Sequence, residues 1–276
     1  MDGTQGIELA LEGVAETLLW PLWHKACEAK RSDRLIDDPL AVQLVERIDY
    51  DFEGNFGTPK RLFPVRYRFG DERLHDFLQR HKEKASVVAL GEGLETQYWR
   101  LGEPPVPWFS VDQPEVMVLR ERLLPRGKTV TQLSCSALDQ AWMDQIPEGS
   151  VPFISAMGLF MYFEEADVVR LLTAIAARFP GAELYFDAIP AAFSKKTLRG
   201  YQVTKAYRAP PMPWGISTDA LSGFLRSIPG LDPISVRTYA EPFPSLFRFF
   251  YALSKIGPIR RRLAPSLVHA KVVAAT

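Results

Sequence analysis

Five short strand-like runs, spaced through the middle of the chain, constrain its fold more than any other feature. They are SVVAL (86–90), WFSVD (108–112), TVTQL (129–133), VPFISA (151–156) and ELYFDA (183–188). Helical patterns separate them, most clearly at 114–124 and 164–179. Short apolar runs bounded by turns are typical of strands that are buried on both faces. Strands that alternate with helices predict an α/β protein with a mainly parallel sheet and right-handed crossovers.

The segments on either side of these runs have a different character. Apolar residues recur at helical spacing from about Val14 to Arg47, residues 54–64 indicate a loop, and a helical pattern resumes over 66–84. After Ile189 we expect an extended loop over 209–215, a helix over 218–227, and closing strands at ISVRTY (234–239) and LVHAKVV (267–273). Since 276 residues, 47% of them apolar, approach the upper size for one core, we expect a single domain.

The charge balance limits the partners that the protein can attract. Lys plus Arg and Asp plus Glu each number 33, so the formal net charge is zero. A neutral chain predicts a small molecule as partner, not nucleic acid or an anionic membrane. The basic run Arg260–Arg262, with Lys255, is best interpreted as a solvated helix end, because no stacking aromatics interleave with it. The oligomeric state is left open.

Cysteine usage and hydropathy predict a cytoplasmic protein without a metal site. Cys27 and Cys135 are the two cysteines, too few for a disulfide framework and without metal-ligand spacing. The first residues, MDGTQGIELALEG, lack the basic and then apolar pattern of a secretory signal. The apolar stretch Leu246 to Leu253 is far shorter than the roughly 20 residues of a membrane-spanning helix.

A glycine turn and an acid stand where an α/β sheet binds ligands. Gly91 and Gly93 directly follow the first strand-like run, and glycines at that place allow a ligand to approach the backbone closely. Asp112 ends the next run, about 20 residues further on, where an acid can hold a ribose diol. Alternatively, the glycines serve only the turn geometry, and Asp112 caps the helix that begins at Pro114.

The turn does not match a pyrophosphate site. The third glycine of a dinucleotide motif is replaced by Thr96, and two acids, Glu92 and Glu95, stand where a pyrophosphate would be repelled. A ligand that has a ribose and a cationic centre, but no phosphate, fits this turn better. The pattern therefore favours a nucleoside cofactor of that kind over a nicotinamide dinucleotide.

These segments together resemble the leucine carboxyl methyltransferase family, in particular its bacterial branch of tetracenomycin-type polyketide O-methyltransferases. The resemblance covers roughly Glu16 to Ile189. It is carried by ETLLWPLWHKACEAKRSDRLIDDPLAVQLV, VVALGEGLETQYWRL, WFSVDQPEVMVLRERLLP, SALDQAWMD, ISAMGLFMYF and RFPGAELYFDAIP, with a weaker echo in APPMPWGI. It implies a methyltransferase that uses S-adenosylmethionine, a ribonucleoside with a cationic sulfonium and no phosphate.

The resemblance also implies a fold and its division. The fold is Rossmann-like, of the class I methyltransferase type, with a seven-stranded, mostly parallel sheet that ends in an antiparallel C-terminal hairpin and an N-terminal helical lid. Within one domain spanning 1–276, residues 1–84 would form the lid region, 85–190 the cofactor-binding core, and 191–276 the acceptor-side cap with the closing strands.

By position, several residues match the family's cofactor site. Arg66 matches the arginine that holds the cofactor carboxylate, although its neighbour Arg68 could take that role. Gly91 and Gly93 match the cofactor loop, and Asp112 matches the acid on the ribose.

Two positions depart from the family pattern. Ser136-Ala137, followed by Leu138-Asp139, stands where many relatives carry an Asp-Leu pair at the adenine, so backbone groups or Asp139 would hold the adenine here. Met157 stands where the eukaryotic carboxyl methyltransferases have a glutamate, so contacts at that position must differ.

The expected reaction is methyl transfer to a carboxylate or to a phenolic or other hydroxyl oxygen of a small molecule, such as a polyketide-type metabolite. Candidate bases or orienting groups are His24, Tyr162 and Asp187, and the catalytic residue stays open. Five residues could line an aromatic acceptor pocket: Trp20, Trp23, Phe193, Met212 and Trp214. The alternatives are a non-catalytic binding module on the same fold and a nicotinamide-dependent oxidoreductase.

Overall fold

The five strand-like runs form the parallel part of one seven-stranded sheet in the computed structural model, which describes residue 7 and residues 15–273. The strands are β1 Ala85–Leu90, β2 Trp108–Asp112, β3 Val130–Ser134, β4 Val151–Ala156, β5 Glu183–Ala188, β6 Leu231–Thr238 and β7 Ser266–Val272. Their order is β3-β2-β1-β4-β5-β7-β6, and only the pairings made by β7 are antiparallel within these described strands. The predicted fold, with its antiparallel C-terminal hairpin, is confirmed.

Helices cover both faces of the sheet, and the N-terminal helices pack on the loop that follows β1. The described α-helices are α1 Leu19–Ala29, α2 Pro39–Arg47, α3 Phe52–Phe56, α4 Val65–His81, α5 Gln97–Arg100, α6 Pro114–Leu123, α7 Glu165–Arg178, α8 Ala191–Leu198, α9 Thr218–Arg226, α10 Arg248–Ser254 and α11 Gly257–Leu263. Short 3₁₀ helices occupy Ala15–Leu18, Lys82–Lys84, Gln140–Gln145 and Phe160–Tyr162.

Alternating side chains of the central strand separate two apolar layers. Val88 and Leu90 of β1 pack into a cluster with residues of α7 and α9, whereas Val87 and Ala89 pack into a second cluster with residues of α4. This alternation is the two-residue period of a strand that is buried on both faces. A third cluster joins α1, α2 and α3 to Leu94, in the loop that follows β1. The N-terminal helices therefore pack directly on that loop.

The strand order fixes where a ligand can bind. From β1 the sheet continues through β2 and β3 on one side and through β4 and β5 on the other. The loops that follow β1 and β4 therefore leave the sheet in opposite directions and open a crevice at its carboxyl edge.

Most element boundaries differ from the sequence predictions by a few residues, and two of the differences have a clear physical reason. The loop predicted over 54–64 begins inside helix α3, because the Asp51 carboxylate accepts a hydrogen bond from the Gly54 backbone N–H and caps the helix. Strand β6 begins at Leu231, three residues before the predicted ISVRTY, with a register shift between Pro233 and Ser235. Since β6 is the last strand in the sheet order, a proline is tolerated there.

The described residues test only part of what the sequence predicts about the whole chain. The signal-peptide assessment of the first 13 residues, apart from Ile7, and the helix start at Val14 lie outside the described residues. No described helix is long and apolar enough to cross a membrane. Within residues 15–273, no group of three or more potential metal ligands is found. The division of the chain at residues 84 and 190 stays a prediction.

Candidate active site

A cavity opens at the crevice between β1 and β4 and is covered by α1. Its walls come from α1, α4, the loops after β1 and β4, the end of β5, and residues Tyr239 and Pro265 near the C-terminus. Four of the predicted cofactor residues line it: Arg66, Gly91, Gly93 and Met157. The three candidate catalytic residues, His24, Tyr162 and Asp187, line the same cavity. Residues up to 163 positions apart in the sequence thus meet in one place.

The remaining predicted residues lie outside the lining of this cavity. Asp112 stands behind the glycine turn, at the end of β2. Ser136, Ala137 and Leu138 follow β3, where Ala137 is buried in the core and Leu138 packs against it. The Asp139 carboxylate caps the following 3₁₀ helix through the Ala141 N–H, at 3.0 Å. An adenine contact by this segment stays a prediction.

The turn after β1 requires glycine at two positions. Gly91 and Gly93 have φ angles of +60° and +54°, in the left-handed region that side chains disfavour. A Cβ at Gly91 would lie 2.6 Å from the Leu159 side chain. The Gly93 N–H donates to the Asp112 carboxylate at 2.7 Å, and the Gly93 carbonyl accepts from buried Arg120 at 2.5 Å. The turn is therefore held on both sides.

Asp112 has a second backbone partner. Its other carboxylate oxygen accepts from the Gln113 N–H at 2.8 Å. Burial raises the pKa of Asp112, while the two backbone hydrogen bonds oppose the rise. The acid thus fixes the glycine turn and the residue that precedes α6, but it does not cap that helix, whose N-cap is Gln113.

Arg66 is the centre of a buried polar network at the other wall. Its guanidinium donates to the Asp187 carboxylate at 3.3 Å and to the Tyr67 hydroxyl at 2.6 Å. Asp187 also accepts from the Tyr239 hydroxyl at 2.7 Å and from the Gly158 N–H at 2.5 Å. The Arg66 Nε, by contrast, has no hydrogen-bond partner among the described residues. A buried N–H donor without a partner, on a residue that lines a cavity, fits an anionic ligand group.

The structure decides between the two neighbouring arginines. Arg68 lies on the exposed side of α4, where it donates to Glu72 at 2.8 Å. Arg66, only 9% exposed, faces the cavity. The alternative that Arg68 takes the place of Arg66 is therefore wrong.

The acids of the glycine turn are paired with buried cations. Glu92 contacts Arg120 at 2.7 Å and accepts from the Trp108 indole at 3.1 Å. Glu95 contacts Lys25 and Arg100, each at 2.9 Å. Burial alone would raise the pKa of Glu95, but the two cations outweigh it and lower the pKa to about 2. The acidity of the turn is thus compensated within the protein, which weakens the repulsion argument made from the sequence.

His24 is a neutral histidine in the cavity wall. It is 4% exposed, and its ring stacks on Phe63 at 4.8 Å between centroids. Burial first, and then the charges of Arg66 and Lys60, lower its pKa to about 3. Neither ring nitrogen has a hydrogen-bond partner within the described part of the chain.

The other two candidate catalytic groups already have hydrogen-bond partners. Tyr162 ends the 3₁₀ helix after β4 and shares a hydrogen bond with the Thr17 side chain, while burial raises its pKa. Asp187, at the carboxyl end of β5, already accepts three hydrogen bonds. Tyr162 therefore keeps its proton at neutral pH, and both residues lie in the cavity wall, where they could orient a ligand.

The five residues predicted to line an acceptor pocket separate into two groups. Trp20, Phe193 and Met212 line the cavity. Trp23 instead donates its indole N–H to the Gly57 carbonyl at 3.0 Å, and Trp214 lies in the main core. Three of the five residues therefore lie in the cavity wall, and their contact with an acceptor stays a prediction.

Four contributors to the site were not found from the sequence. Tyr67 and Tyr239 hold the Arg66–Asp187 pair, Lys25 binds the loop after β1, and Gly158 leaves room for the Arg66 guanidinium. A Cβ at Gly158 would lie 3.2 Å from that guanidinium. Gly158 comes shortly after β4, just as Gly91 comes after β1. A glycine at the carboxyl end of a central strand was therefore the sequence feature that could have identified it.

Comparisons with known proteins identify the family of the chain. The leucine carboxyl methyltransferase family matches residues 19–176. The tetracenomycin polyketide synthesis O-methyltransferase TcmP of Streptomyces glaucescens is 33% identical over 187 residues, which are 67% of this chain and 69% of that protein. The S-adenosyl-L-methionine-dependent methyltransferase dpfgK of Gibberella zeae is 27% identical, over 66% of this chain and 68% of that protein.

A solved structure, the magnesium protoporphyrin IX methyltransferase of Synechocystis PCC 6803 with bound SAH, is 12% identical, with a TM-score of 0.46. The match covers 84% of this chain and 94% of that one. The sequence matches decide between the alternatives of methyl and hydride transfer. The chain belongs to the leucine carboxyl methyltransferase family and is an S-adenosylmethionine-dependent methyltransferase.

Proposed function

We propose that this methyltransferase esterifies the carboxylate of a small organic acid that has an apolar, aromatic body. One observation carries the proposal: no described group in the cavity wall is suited to act as a general base at neutral pH. His24 has its pKa lowered to about 3, Tyr162 has its pKa raised, and Asp187 is held by three donors. Glu92 and Glu95 are paired with buried cations.

The protonation state of the acceptor explains why this observation matters. A carboxylic acid, with a pKa of about 4, is ionised at neutral pH, whereas a phenol, with a pKa of about 10, must lose a proton near the transition state. A site without a base therefore suits a carboxylate. Its main contribution is to hold a carboxylate oxygen in line with the methyl group, and such positioning can supply roughly 7–11 kcal/mol.

The proposed cofactor contacts come from the cavity wall and from two segments that lie outside its lining, at the end of β2 and after β3. Arg66 would hold the carboxylate of the cofactor's methionine part, Gly91 and Gly93 would let the backbone approach it, and Asp112 would hold the ribose diol. Ser136, Ala137, Leu138 and Met157 complete the proposed cofactor set. When bound, the cofactor supplies an activated methyl group, which the acceptor oxygen takes while the carbon–sulfur electron pair stays on sulfur.

The apolar wall supports an aromatic acceptor. Trp20, Phe63 and Phe193 line the cavity together with Met161 and Met212. Aromatic and methionine side chains bind flat, apolar molecules through large contact areas. The tetracenomycin relative, named for polyketide synthesis, makes polyketide-type acids the first acceptors to test.

A phenolic acceptor is the second candidate. It is favoured by the aromatic cavity wall, which would bind the body of a phenol as well as that of an acid. The two products are chemically distinct, because mild alkali releases methanol from a methyl ester but leaves an aryl methyl ether intact.

The test uses S-adenosylmethionine labelled in its methyl group and a panel of aromatic acids, each paired with a phenol of the same skeleton. We expect label only in products from the acids, and we expect alkali to release it as methanol. Alkali-stable label from the phenols would overturn the carboxylate proposal and establish the second candidate. Absence of label from every member of the panel, with the cofactor bound, would count against both.

A further inference from the structure

Three ring nitrogens, carried by two residues on one face of α1, are buried without a hydrogen-bond partner among the described residues. Trp20 and His24 lie four residues apart, so their side chains share one side of the helix. Both residues line the cavity. The Trp20 indole Nε1 and both His24 ring nitrogens are buried and have no hydrogen-bond partner among the residues that the structure describes.

Buried polar groups without a hydrogen-bond partner are rare in folded proteins, and a bound ligand is one way to supply the partner. More than about 90% of buried polar groups have a partner, because desolvation of an unsatisfied group is unfavourable. The indole Nε1 can only donate, and a neutral imidazole offers one donor and one acceptor nitrogen. A ligand that reaches these nitrogens from the cavity would find two uncharged N–H donors, which fits an oxygen-rich ligand group.

Aromatic packing, and no polar bond, holds the two rings in place. Trp20 stacks on Phe56 at 6.1 Å between centroids with an interplanar angle of 8°, and it meets Tyr207 edge-on at 5.9 Å. His24 stacks on Phe63 at an interplanar angle of 25°. The rings are thus fixed before any ligand arrives, and a ligand need not displace existing hydrogen bonds.

The two cations in the described cavity wall are already engaged. The Lys25 ammonium contacts Glu95 at 2.9 Å and donates to the Leu94 carbonyl at 3.3 Å. Arg66 is paired with Asp187, and the proposed function assigns its remaining donor to the cofactor. An anionic acceptor would consequently rely on neutral donors. Neutral donors orient a carboxylate without cancelling its charge, so the oxygen keeps its nucleophilicity.

We infer that Trp20 and His24 form an acceptor dyad, in which the two ring N–H groups hold the carboxylate of the acceptor acid for methylation. This inference rests on the proposed carboxyl methylation and adds the residues that select the acceptor. In the reaction a carboxylate oxygen forms the new bond to the methyl carbon, the bond from that carbon to sulfur breaks, and no proton is transferred. The dyad therefore positions the carboxylate and need not change its protonation state.

The test measures binding and turnover in matched variants of the full chain. The probe is anthraquinone-2-carboxylate, with anthraquinone-2-carboxamide as its uncharged counterpart and S-adenosylhomocysteine present throughout the binding experiments. We expect wild type to prefer the acid, and Trp20→Phe and His24→Phe each to weaken its binding about tenfold or more, as expected for loss of a hydrogen bond to a charged group. His24→Gln, which keeps an N–H donor, should restore part of the loss.

Trp23→Phe is the matched control, because Trp23 lies on the same helix and donates to Gly57 outside the cavity. It should leave the affinity for the acid unchanged, and all these variants should bind S-adenosylhomocysteine as wild type does. The Trp20 indole N–H resonance, identified by its loss in Trp20→Phe, should shift when the acid binds. A purely structural role for Trp20 would not produce that shift.

Three outcomes would overturn the dyad: no binding of the acid at millimolar concentration, equal affinity for acid and carboxamide, or equal loss in Trp23→Phe and Trp20→Phe. Failure of the proposed function looks different. If the dyad alone is wrong, alkali-labile methyl ester still forms from aromatic acids, with the same KM in wild type, Trp20→Phe and His24→Phe. If carboxyl methylation itself is wrong, wild type forms no methyl ester from any acid.

Discussion

The backbone N–H of Gly93 donates to the carboxylate of Asp112 at 2.7 Å. This bond ties the glycine turn after β1 to the end of the neighbouring strand β2. Because the second Asp112 oxygen accepts from the Gln113 N–H, the carboxylate holds two backbone segments at once. A ribose diol bound at this acid would therefore meet a group whose position is already fixed.

Asp112→Asn should weaken S-adenosylhomocysteine binding about 10-fold to 100-fold. The neutral amide loses charge-assisted hydrogen bonds, each worth about 1.5–3 kcal/mol, and its NH₂ cannot accept from a backbone N–H. Isothermal calorimetry gives the affinity, and circular dichroism checks that the chain stays folded. Asp76→Asn, on the exposed side of α4, is the control. Unchanged affinity in Asp112→Asn would show that the ribose binds elsewhere.

Arg66→Lys should weaken S-adenosylhomocysteine binding at least tenfold, because an ammonium offers no donor in place of the unpartnered Arg66 Nε–H and lacks the fixed geometry of the guanidinium. Methylthioadenosine, which lacks the amino-acid part, should lose little affinity. Arg68→Lys, whose side chain is exposed beside Glu72, is the matched control for both ligands. An equal loss for both ligands in Arg66→Lys would indicate a general disturbance of the site, contrary to the proposed carboxylate contact.

Lys25→Met should destabilise the fold by about 3–5 kcal/mol, because it leaves the buried Glu95 carboxylate without one of its cations. The change should appear as a lower urea midpoint with an unaltered slope. Lys30→Met removes an exposed pair with Glu46, in which both side chains are more than half exposed, and should cost less than about 1 kcal/mol. Similar losses in the two variants would show that the Lys25–Glu95 pair contributes no more than a surface ion pair.

Glu183 should contribute stability that is lost in acid. Burial alone would raise its pKa, but hydrogen bonds from His269 and Arg80 outweigh burial and lower the pKa from 4.5 to about 2. A carboxylate with a lowered pKa in the folded state stabilises the protein above the unfolded pKa, and this stability is lost as the pH falls from about 4.5 to about 2. Thermal melting of wild type and Glu183→Gln across that interval measures the effect. The difference between them should shrink towards pH 2, and a constant difference would contradict the assignment.

The rate of methylation of an aromatic acid should be nearly independent of pH between 6 and 9. His24, with its pKa lowered to about 3, stays neutral across that range, and the acceptor carboxylate is already ionised. Initial rates at saturating cofactor give kcat/KM against pH. A rise in kcat/KM through pH 7 would reveal a titrating base and favour the phenolic alternative.

Local sequence signals determined the sheet. β2, β4 and β5 have the bounds that their runs predict, because strands buried on both faces need apolar side chains on each side and so leave an unbroken pattern. The glycine turn was equally visible, since its φ angles near +60° are a local demand that glycine meets. The edge strand β6 was harder to delimit, because an edge tolerates Pro233 within it.

The polar site was only partly readable from the chain. Arg66 and Asp187 were singled out separately, and their partnership across 121 positions followed from the packing of α4 against the sheet. The same holds for Glu95. From the sequence its negative charge was expected to act on a ligand, but in the structure it is paired with Lys25, 70 positions earlier. A sequence shows which groups are charged, whereas their burial and pairing depend on contacts between distant segments.

The sequence by itself determined the α/β order, the glycine turn and the family. Only the tertiary structure decided that Arg66 and not Arg68 faces the cavity, that Trp20 and not Trp23 lines it, and that His24 stays uncharged. The physical reason is the range of the interactions. Turn geometry and strand burial act on neighbouring residues, whereas desolvation and ion pairing arise when the N-terminal helices close over the carboxyl edge of the sheet.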